Sequence, residues 1–341
     1  MSVMIGIDPH KALHAACAID TNEAELGECE VRSGPRQLGQ LLQWASPFGC
    51  RTWAIESAGG LGYLLAQQLV ARGEHVVDVP PMLASRVRLL GSGRSNKNDA
   101  NDARAVAIAA LRSPSVSAVR GEDHTSVLRL LAKAQLDTSR ARSRACCRLH
   151  ALAQELVPGG IRKAIVVNQG ELVLAGIAPV NAVQRQRLEL AHEQLDEIRA
   201  LDLKAKHSKQ RIADAVAASG TTLIEIYGVG PIIAAIIIGY SGDIARFSSD
   251  GHYAAYNGTA PIEFSSGGRT VHRLSRRGNR TLNHAMHMIA VTQIRNPGSE
   301  GHTYYHAKLA AGRTRREAMR ALKRHISDRV YRHLRSDARG R

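Results

Sequence analysis

Short bursts of β-branched and apolar residues mark the first eighty positions, and a helical period replaces them further on. Val3–Ile7, Leu13–Ile19, Arg51–Glu56 (RTWAIE) and His75–Val79 each read as a strand bounded by turn-forming residues. Gly59-Gly60 separates the third of these from an amphipathic helical run over Leu61–Arg72. Pro80-Pro81 stops the fourth, and Asn98–Leu111 reads as a helix. Strands interleaved with helices predict an α/β layer fold with a partly parallel sheet.

From Val127 the pattern changes. Apolar or small residues recur at 127, 131, 134, 138, 141, 145, 149, 152 and 156, in steps of three and four. A second run takes in Leu188, Ala191, Leu195, Ile198, Ala205, Ile212 and Val216, with Asp202 and Lys209 interrupting its seam. A Gly- and Pro-containing connector, Pro158–Pro179, lies between them. Two long helices of this kind predict an antiparallel hairpin or a coiled-coil dimerisation arm. From about Thr221 the chain reads as helical again, with a break around Ser265–Gly268 and a charged closing helix. The expected division is therefore 1–122, 123–218 and 219–341.

Composition narrows what such a chain binds. It holds 46 Lys and Arg against 30 Asp and Glu, a net charge of +16, and twelve of the basic residues fall between Lys308 and Arg341. A surplus of that size favours a polyanion, because phosphate neutralisation is the usual source of sequence-independent nucleic-acid affinity. Aromatic residues make up only 4%, which argues against binding single strands by base stacking. The five scattered cysteines form no zinc spacing and fit a reducing compartment. MSVMIGIDPHK enters a strand-like run at once, which predicts no signal peptide. The longest apolar stretch, around Pro231–Tyr240, is far below the ~20 residues of a membrane span. A cytoplasmic protein with no membrane partner is expected.

The acidic residues are few but well placed. Asp8 ends the first strand, Glu56 ends a later one, and Asp99 and Asp102 lie three apart at a helix start, sharing one face. In α/β sheets, sites form where strand ends meet nearby helix starts. Four carboxylates converging there would repel one another unless cations lay among them, and Mg²⁺ or Mn²⁺ prefers such an all-oxygen donor set. Two such ions about 4 Å apart can activate an attacking oxygen and stabilise a leaving one in phosphodiester cleavage. Taken singly, a strand-end Asp is as often a turn former, and Asp99 as often a helix N-terminal residue. Lys11 and Lys97 flank the group and could hold phosphate.

Two further features lie in the second half. Gly228-Val229-Gly230, between two helical runs, resembles a helix-hairpin-helix turn, in which backbone N–H groups grip a DNA phosphate. A glycine joint between buried helices is the commoner origin of such a string. Ser265-Ser266-Gly267-Gly268 reads as a loop, followed by Arg269, Arg273, Arg276, Arg277 and Arg280. Arginines could clamp a scissile phosphate and offset the charge on an attacking hydroxyl, although a Ser-Ser-Gly-Gly run is more often only a linker.

GIDPHK, AIES and KNDANDARA, followed by IYGVGPIIAAIIIGYSGDIARF, YAAYNGTAPIEFSSG, RRGNRTLNHAM and AMRALKRHISDRVYRHL, together resemble the insertion-sequence transposases with a DEDD carboxylate motif. That family includes the bridge-RNA-guided recombinases. The resemblance implies an RNase H-like (RuvC-like) catalytic domain carrying Asp8, Glu56, Asp99 and Asp102 as ligands of Mg²⁺ or Mn²⁺. It also implies a coiled-coil region and a mainly α-helical transposase domain whose serine, Ser266 with Ser265 adjacent, attacks the phosphodiester. Implied partners are donor and target DNA, an element-encoded guide RNA and further copies of the chain, as a dimer or tetramer. Asn98 and Asn101 stand where Thr and Ile-like residues are frequent in the family, and neither is a proposed ligand. Two other functions compete: a hydrolytic junction nuclease using the carboxylates and water, and a non-catalytic nucleic-acid-binding scaffold.

Overall fold

The computed structural model describes the backbone of residues 2–90, 99–113, 116–161, 167–266, 269–274 and 278–340; side chains at 90, 99, 100, 262–266 and 269–274 lie outside the description. The described residues form two compact units, Met1–Glu122 and Asp123–Arg341.

The first unit is built on a six-stranded sheet. Its strands are β1 (Ser2–Pro9), β2 (Leu13–Ile19), β3 (Glu25–Arg32), β4 (Cys50–Glu56), β5 (Val76–Val79) and β6 (Ser117–Ala118). Spatial order is β3-β2-β1-β4-β5-β6. β1, β2 and β3 form an antiparallel meander, β4 and β5 run parallel to β1, and β6 closes the edge antiparallel. This is the RNase H-like arrangement that the resemblance implies. Helices α1 (Gln37–Trp44), α2 (Tyr63–Val70), α3 (Pro81–Leu90) and α4 (Asp99–Arg112) complete the unit.

Strand alternation divides the sheet into two faces. Val3, Ile5, Ile7, Trp53 and Ile55 pack on one face with Leu41 of α1 and Leu65 and Leu69 of α2. Ala54 and Val77 pack on the other with Val106, Ala109 and Ala110 of α4, and Ala15, Cys17 and Ile19 meet Ala103 and Ala107. β3 was not anticipated. Its exposed positions include Glu25, Glu28, Glu30 and Arg32, so an edge strand with one wet face lacks the apolar burst that marks its neighbours. Nor was α3, which begins at the proline pair expected only to stop β5.

The second unit opens on two long helices, α5 (His124–Leu156) and α7 (Ala182–Ala218). Ion pairs Arg142–Asp202 at 2.5 Å, Arg148–Glu197 at 2.6 Å and Arg187–Glu155 at 2.6 Å join residues whose numbers rise on one helix as they fall on the other, so the pair is antiparallel. Asp202, which interrupts the apolar seam, is thus the acceptor of a cross-helix bridge. The seam of α7 is as expected at Ala191, Leu195, Ile198, Ile212 and Val216. In α5 the expected phase slips by one residue at its start: Leu128 and Ala132 are buried, whereas Val127 is 52% exposed. The expected connector contains a short helix, α6 (Val167–Ala175), whose Gly170 approaches Leu195 so closely that an added Cβ would lie 2.8 Å from its Cδ1.

The remaining elements are α8 (Pro231–Ser241), α9 (Asp250–Tyr256), a hairpin of β7 (Pro261–Ser266) and β8 (Arg269–Leu274), α10 (Arg280–Ile294), α11 (Glu300–Ala310) and α12 (Arg315–Arg339). α8 is apolar on all sides and fully enclosed from Ala234 to Gly239, the pattern of a central helix. Leu128 and Ala132 of α5, Ile212 and Val216 of α7, Met286 and Ile289 of α10 and Leu322, Ile326 and Val330 of α12 share its core. No helix among the described residues is long and apolar enough to cross a membrane.

Candidate active site

Parity along the strands decides where the acids point. Ile5, Ile7, Trp53 and Ile55 face α1 and α2, so Asp8 and Glu56, one residue beyond Ile7 and Ile55, face α4. β1 and β4 are adjacent and parallel, with Ile7 opposite Ile55, and this register sets Asp8 and Glu56 side by side at the strand ends. Directly after Glu56 the chain turns sharply. Ser57 takes a positive φ of 52°, and its N–H donates to the Val79 carbonyl. The Ala58 N–H is held by Asp78 Oδ1 at 2.8 Å.

Gly6 brings the helix in. A Cβ there would lie 2.0 Å from the Ala103 carbonyl oxygen and 2.5 Å from the Ala107 nitrogen, so α4 rests directly on the β1 backbone. Ala103 and Ala107 are small enough to allow that approach, and Asp102 beside them is carried to the strand end. Asp8 is 7% and Asp102 3% exposed. The Glu56 carboxyl is pushed above its ordinary range, first by burial and then by the charge of Asp8, with Asp102 adding to it and Arg88 opposing. Three of the four expected acids are therefore brought together. The backbone of Asp99 starts α4, one turn before Asp102.

A residue not anticipated completes the group. Arg88 of α3 places Nη1 2.7 Å from Oδ1 of Asp102, off the line of a good hydrogen bond. Its own affinity for the proton is raised, chiefly by Asp102 and further by the charges of Glu56 and Asp8. His10 Nδ1 lies 3.6 Å from Asp8 Oδ2, and Lys11 is exposed on the same turn. Lys97 lies outside the described residues. Carboxylates drawn to one pair of strand ends fit a hard divalent ion, because the donors are all oxygen. A different cluster, Cys17, Glu25 and Glu28, is the one group of three whose ligand atoms lie within 4.8 Å of one another among the described residues. Burial raises the pKa of the Cys17 thiol to about 12, and the thiol packs in the core against Ala103 and Ala107.

In the second unit the expected serine loop is a strand. Ser265 and Ser266 close β7, paired with Thr270 and Arg269, and Arg273 lies opposite Ile262. Phe264–Ser266 pair with Arg269–Val271 in the same ladder, and Gly267 and Gly268 lie outside the described residues. Arg276 and Arg277 are also outside the description, and Arg280 is the exposed first residue of α10.

The base of this hairpin is strongly anchored. Asn257 donates from Nδ2 to Ser327 Oγ at 2.7 Å and accepts from the Thr259 hydroxyl at 2.7 Å. Asn283 donates to the carbonyls of Asn257 and Gly258, both at 3.0 Å, and Lys323 Nζ donates to its Oδ1 at 2.7 Å. Burial lowers the Lys323 ammonium below its ordinary range. Asn279 caps α10 through Thr281 and Leu282. Gly278 packs on Gly258, where a Cβ would lie 2.5 Å from the Gly258 nitrogen.

The Gly228-Gly230 turn follows a single 3-10 turn, Thr222–Glu225, rather than a full helix. Gly228 has φ +89° and backs onto α10, where a Cβ would lie 3.3 Å from the Ile289 carbonyl. Gly230 is the N-cap of α8 and meets no atom within 4 Å of an added Cβ.

Comparison with known proteins covers both units. A DEDD family model described as Transposase matches residues 5–158, and one described as Transposase IS116/IS110/IS902 family matches residues 220–306. The chain is 26% identical to "Insertion element IS116 uncharacterized 44.8 kDa protein" of Streptomyces clavuligerus, over 98% of this chain and 94% of that one. It is 29% identical to "Transposase for insertion sequence element IS1328" of Yersinia enterocolitica, over 82% and 80%. Among solved structures, T. thermophilus RuvC in complex with Holliday junction substrate matches at 20% identity and a TM-score of 0.28, over 35% of this chain and all of that one.

Proposed function

Because the chain belongs to the DEDD-type IS110/IS116/IS902 transposase family, we propose that it cleaves and rejoins DNA strands, with Asp8, Glu56, Asp99 and Asp102 as a divalent-metal site and Ser266 as nucleophile. The observation that supports this most directly is the meeting of Asp8, Glu56 and Asp102 where two parallel strand ends abut α4. Mg²⁺ or Mn²⁺ held there would polarise a phosphodiester and stabilise a leaving oxygen.

The chain's own residues have separate tasks. Asp8 and Asp102, fixed by Gly6 and α4, present oxygens in a set position. Arg88 neutralises them when no metal is bound, and Lys11, together with the Lys97 that precedes α4 in sequence, holds flanking phosphates. Ser266 Oγ attacks phosphorus; the Oγ–P bond forms, the phosphodiester P–O bond breaks, and the leaving oxygen takes up a proton while the hydroxyl loses one. Arg269 and Arg273 on the opposing strand, with Arg276, Arg277 and Arg280 beyond, clamp the phosphate. The Gly228 and Gly230 turn contributes a backbone phosphate contact. Donor and target DNA are the substrates, selected through an element-encoded guide RNA, and α5 with α7 serves assembly into a dimer or tetramer.

Asp102→Asn removes one ligand charge at constant shape. It should abolish strand cleavage, by at least about a hundredfold, while DNA binding in EDTA stays at wild-type strength. Cleavage by Asp102→Asn at the wild-type rate, or wild-type cleavage that persists in EDTA, would sink the metal site and favour the scaffold reading. A hydrolytic enzyme keeps the same carboxylate dependence and differs at Ser266.

A further inference from the structure

Arg332, Arg335 and Arg339 recur along α12 at three- and four-residue spacing, with Ser336 among them, so they form one stripe. This stripe is one wall of an open cavity of about 510 Å³, and Ser248, Ser249 and Asp250, where α9 begins, form the other. This first cavity is a groove along the stripe, and Arg332 also borders a second cavity of about 330 Å³ together with Arg329 and His333.

Every carboxylate near the groove is already engaged. Glu300 pairs with Arg329, and Asp328 with Arg324 at 2.9 Å. Asp250 lies 3.8 Å from the same Arg324 guanidinium, and Asp337 accepts from the hydroxyls of Thr221 and Thr222, both at 2.7 Å. Arg332, Arg335 and Arg339 have no carboxylate partner among the described residues. Two of the three are nonetheless held in place. Arg335 Nη1 lies 3.4 Å from the Tyr331 hydroxyl, which is itself fixed on the Phe247 carbonyl, and Arg332 Nε lies 3.4 Å from the Asp328 carbonyl. The helix dipole favours a cation in the last turn, which accounts for Arg339 but not for the other two.

A row of guanidinia without carboxylate partners among the described residues, facing serine hydroxyls, matches a polyanion. Residues 332 to 339 rise about 10.5 Å, a length over which one strand of a duplex presents about three phosphates. Tyr331, the aromatic residue of the larger cavity, is only 9% exposed and turned to the core, so the groove offers no stacking platform for unpaired bases. We propose that this groove is a duplex-DNA backbone site, roughly one phosphate per guanidinium, that holds DNA without reading its bases. The proposal rests on the DNA-acting reading only for the choice of polyanion; it is independent of the serine and of the metal.

The test is equilibrium binding of a fluorescent duplex in EDTA, where no cleavage confuses the readout, over about 50 to 200 mM salt. R332Q/R335Q/R339Q should lower the slope of log affinity against log salt by about 2 to 3, and the corresponding triple Lys variant should restore it. R313Q/R315Q/R316Q, an equal charge loss at exposed residues leading into α12, should leave the slope as in wild type. If the groove triple does not fold, R332Q/R339Q, both at exposed positions, reads the same quantity with an expected loss of about 2. The proposal is overturned by an unchanged slope in the groove variants, by equal losses in groove and control triples, or by a loss seen with structured RNA but not with duplex DNA. None of these outcomes touches the carboxylate chemistry, which Asp102→Asn tests separately.

Discussion

Asp102 is almost wholly buried, and the cation nearest to it among the described ion pairs is Arg88. Removing that cation leaves a desolvated acid beside Asp8 and Glu56 without compensation. Arg88→Gln should therefore cost the metal-free protein about 2 kcal/mol, below the usual figure for breaking a buried pair because the arginine is about a third exposed. Added Mg²⁺ should then raise the melting temperature of Arg88→Gln more than that of wild type, since ligand binding stabilises in proportion to site occupancy. An equal Mg²⁺ shift in the two proteins would show that Arg88 does not compete for the same oxygens. Asp8 and Glu56 were legible in the sequence, because a charge at the end of a β-branched run is conspicuous and strand parity fixes its face. Arg88 was not: nothing local in MLASRVRLL tells which of its two arginines meets a helix start more than ten residues on.

At the level of elements, the candidate site depends on one close contact. Gly6→Ala would drive a methyl into the Ala103 carbonyl, and neither partner is the flexible end of a side chain. The expected result is a loss of about 3 kcal/mol, in the range of overpacked cores, with metal-induced stabilisation lost as well because α4 no longer seats Asp102. The signal was present in the sequence as a glycine inside a strand, which marks a bulge or a close approach; it simply does not name the approaching helix. β4 carries a second dependence. Arg51 and Trp53 both hydrogen-bond Glu74, at 2.5 and 2.7 Å, and hold its carboxyl below the ordinary range, Arg51 foremost. A depressed carboxyl stabilises the fold above its unfolded pKa, and that contribution is lost as pH falls through the folded value. Glu74→Gln should cost about 2 kcal/mol at neutral pH, and denaturant melts should show the deficit shrinking as the pH drops below about 4. The β7–β8 hairpin reads as a loop in the sequence for a physical reason. Ser-Ser-Gly-Gly has linker composition, and the ladder becomes visible only when the flanking FSS and RTV segments are seen to pair. The single-residue phase slip in α5 arises because small and apolar residues such as Val127 and Leu128 stand side by side there, so spacing alone does not choose the buried one.

At the scale of the whole molecule, the first unit holds the acidic residues at its strand ends, and the second holds the β7–β8 hairpin, an asparagine–lysine frame and a basic closing helix. The net charge of +16 was readable at once and pointed to a polyanion. Its distribution was not, because Arg324 meets Asp250 and Arg329 meets Glu300 far away in sequence, whereas Arg332, Arg335 and Arg339 have no carboxylate partner among the described residues. The measurement closest to the central claim is trapping of a covalent protein–DNA adduct with Mg²⁺ and a DNA substrate carrying the element end, followed by mapping of the modified residue. The account predicts an adduct on Ser266 in wild type and none in Ser266→Ala or Asp102→Asn, with all three binding DNA equally in EDTA. Cleavage by Ser266→Ala at the wild-type rate without any adduct would contradict it and assign the cut to water activated at the carboxylates.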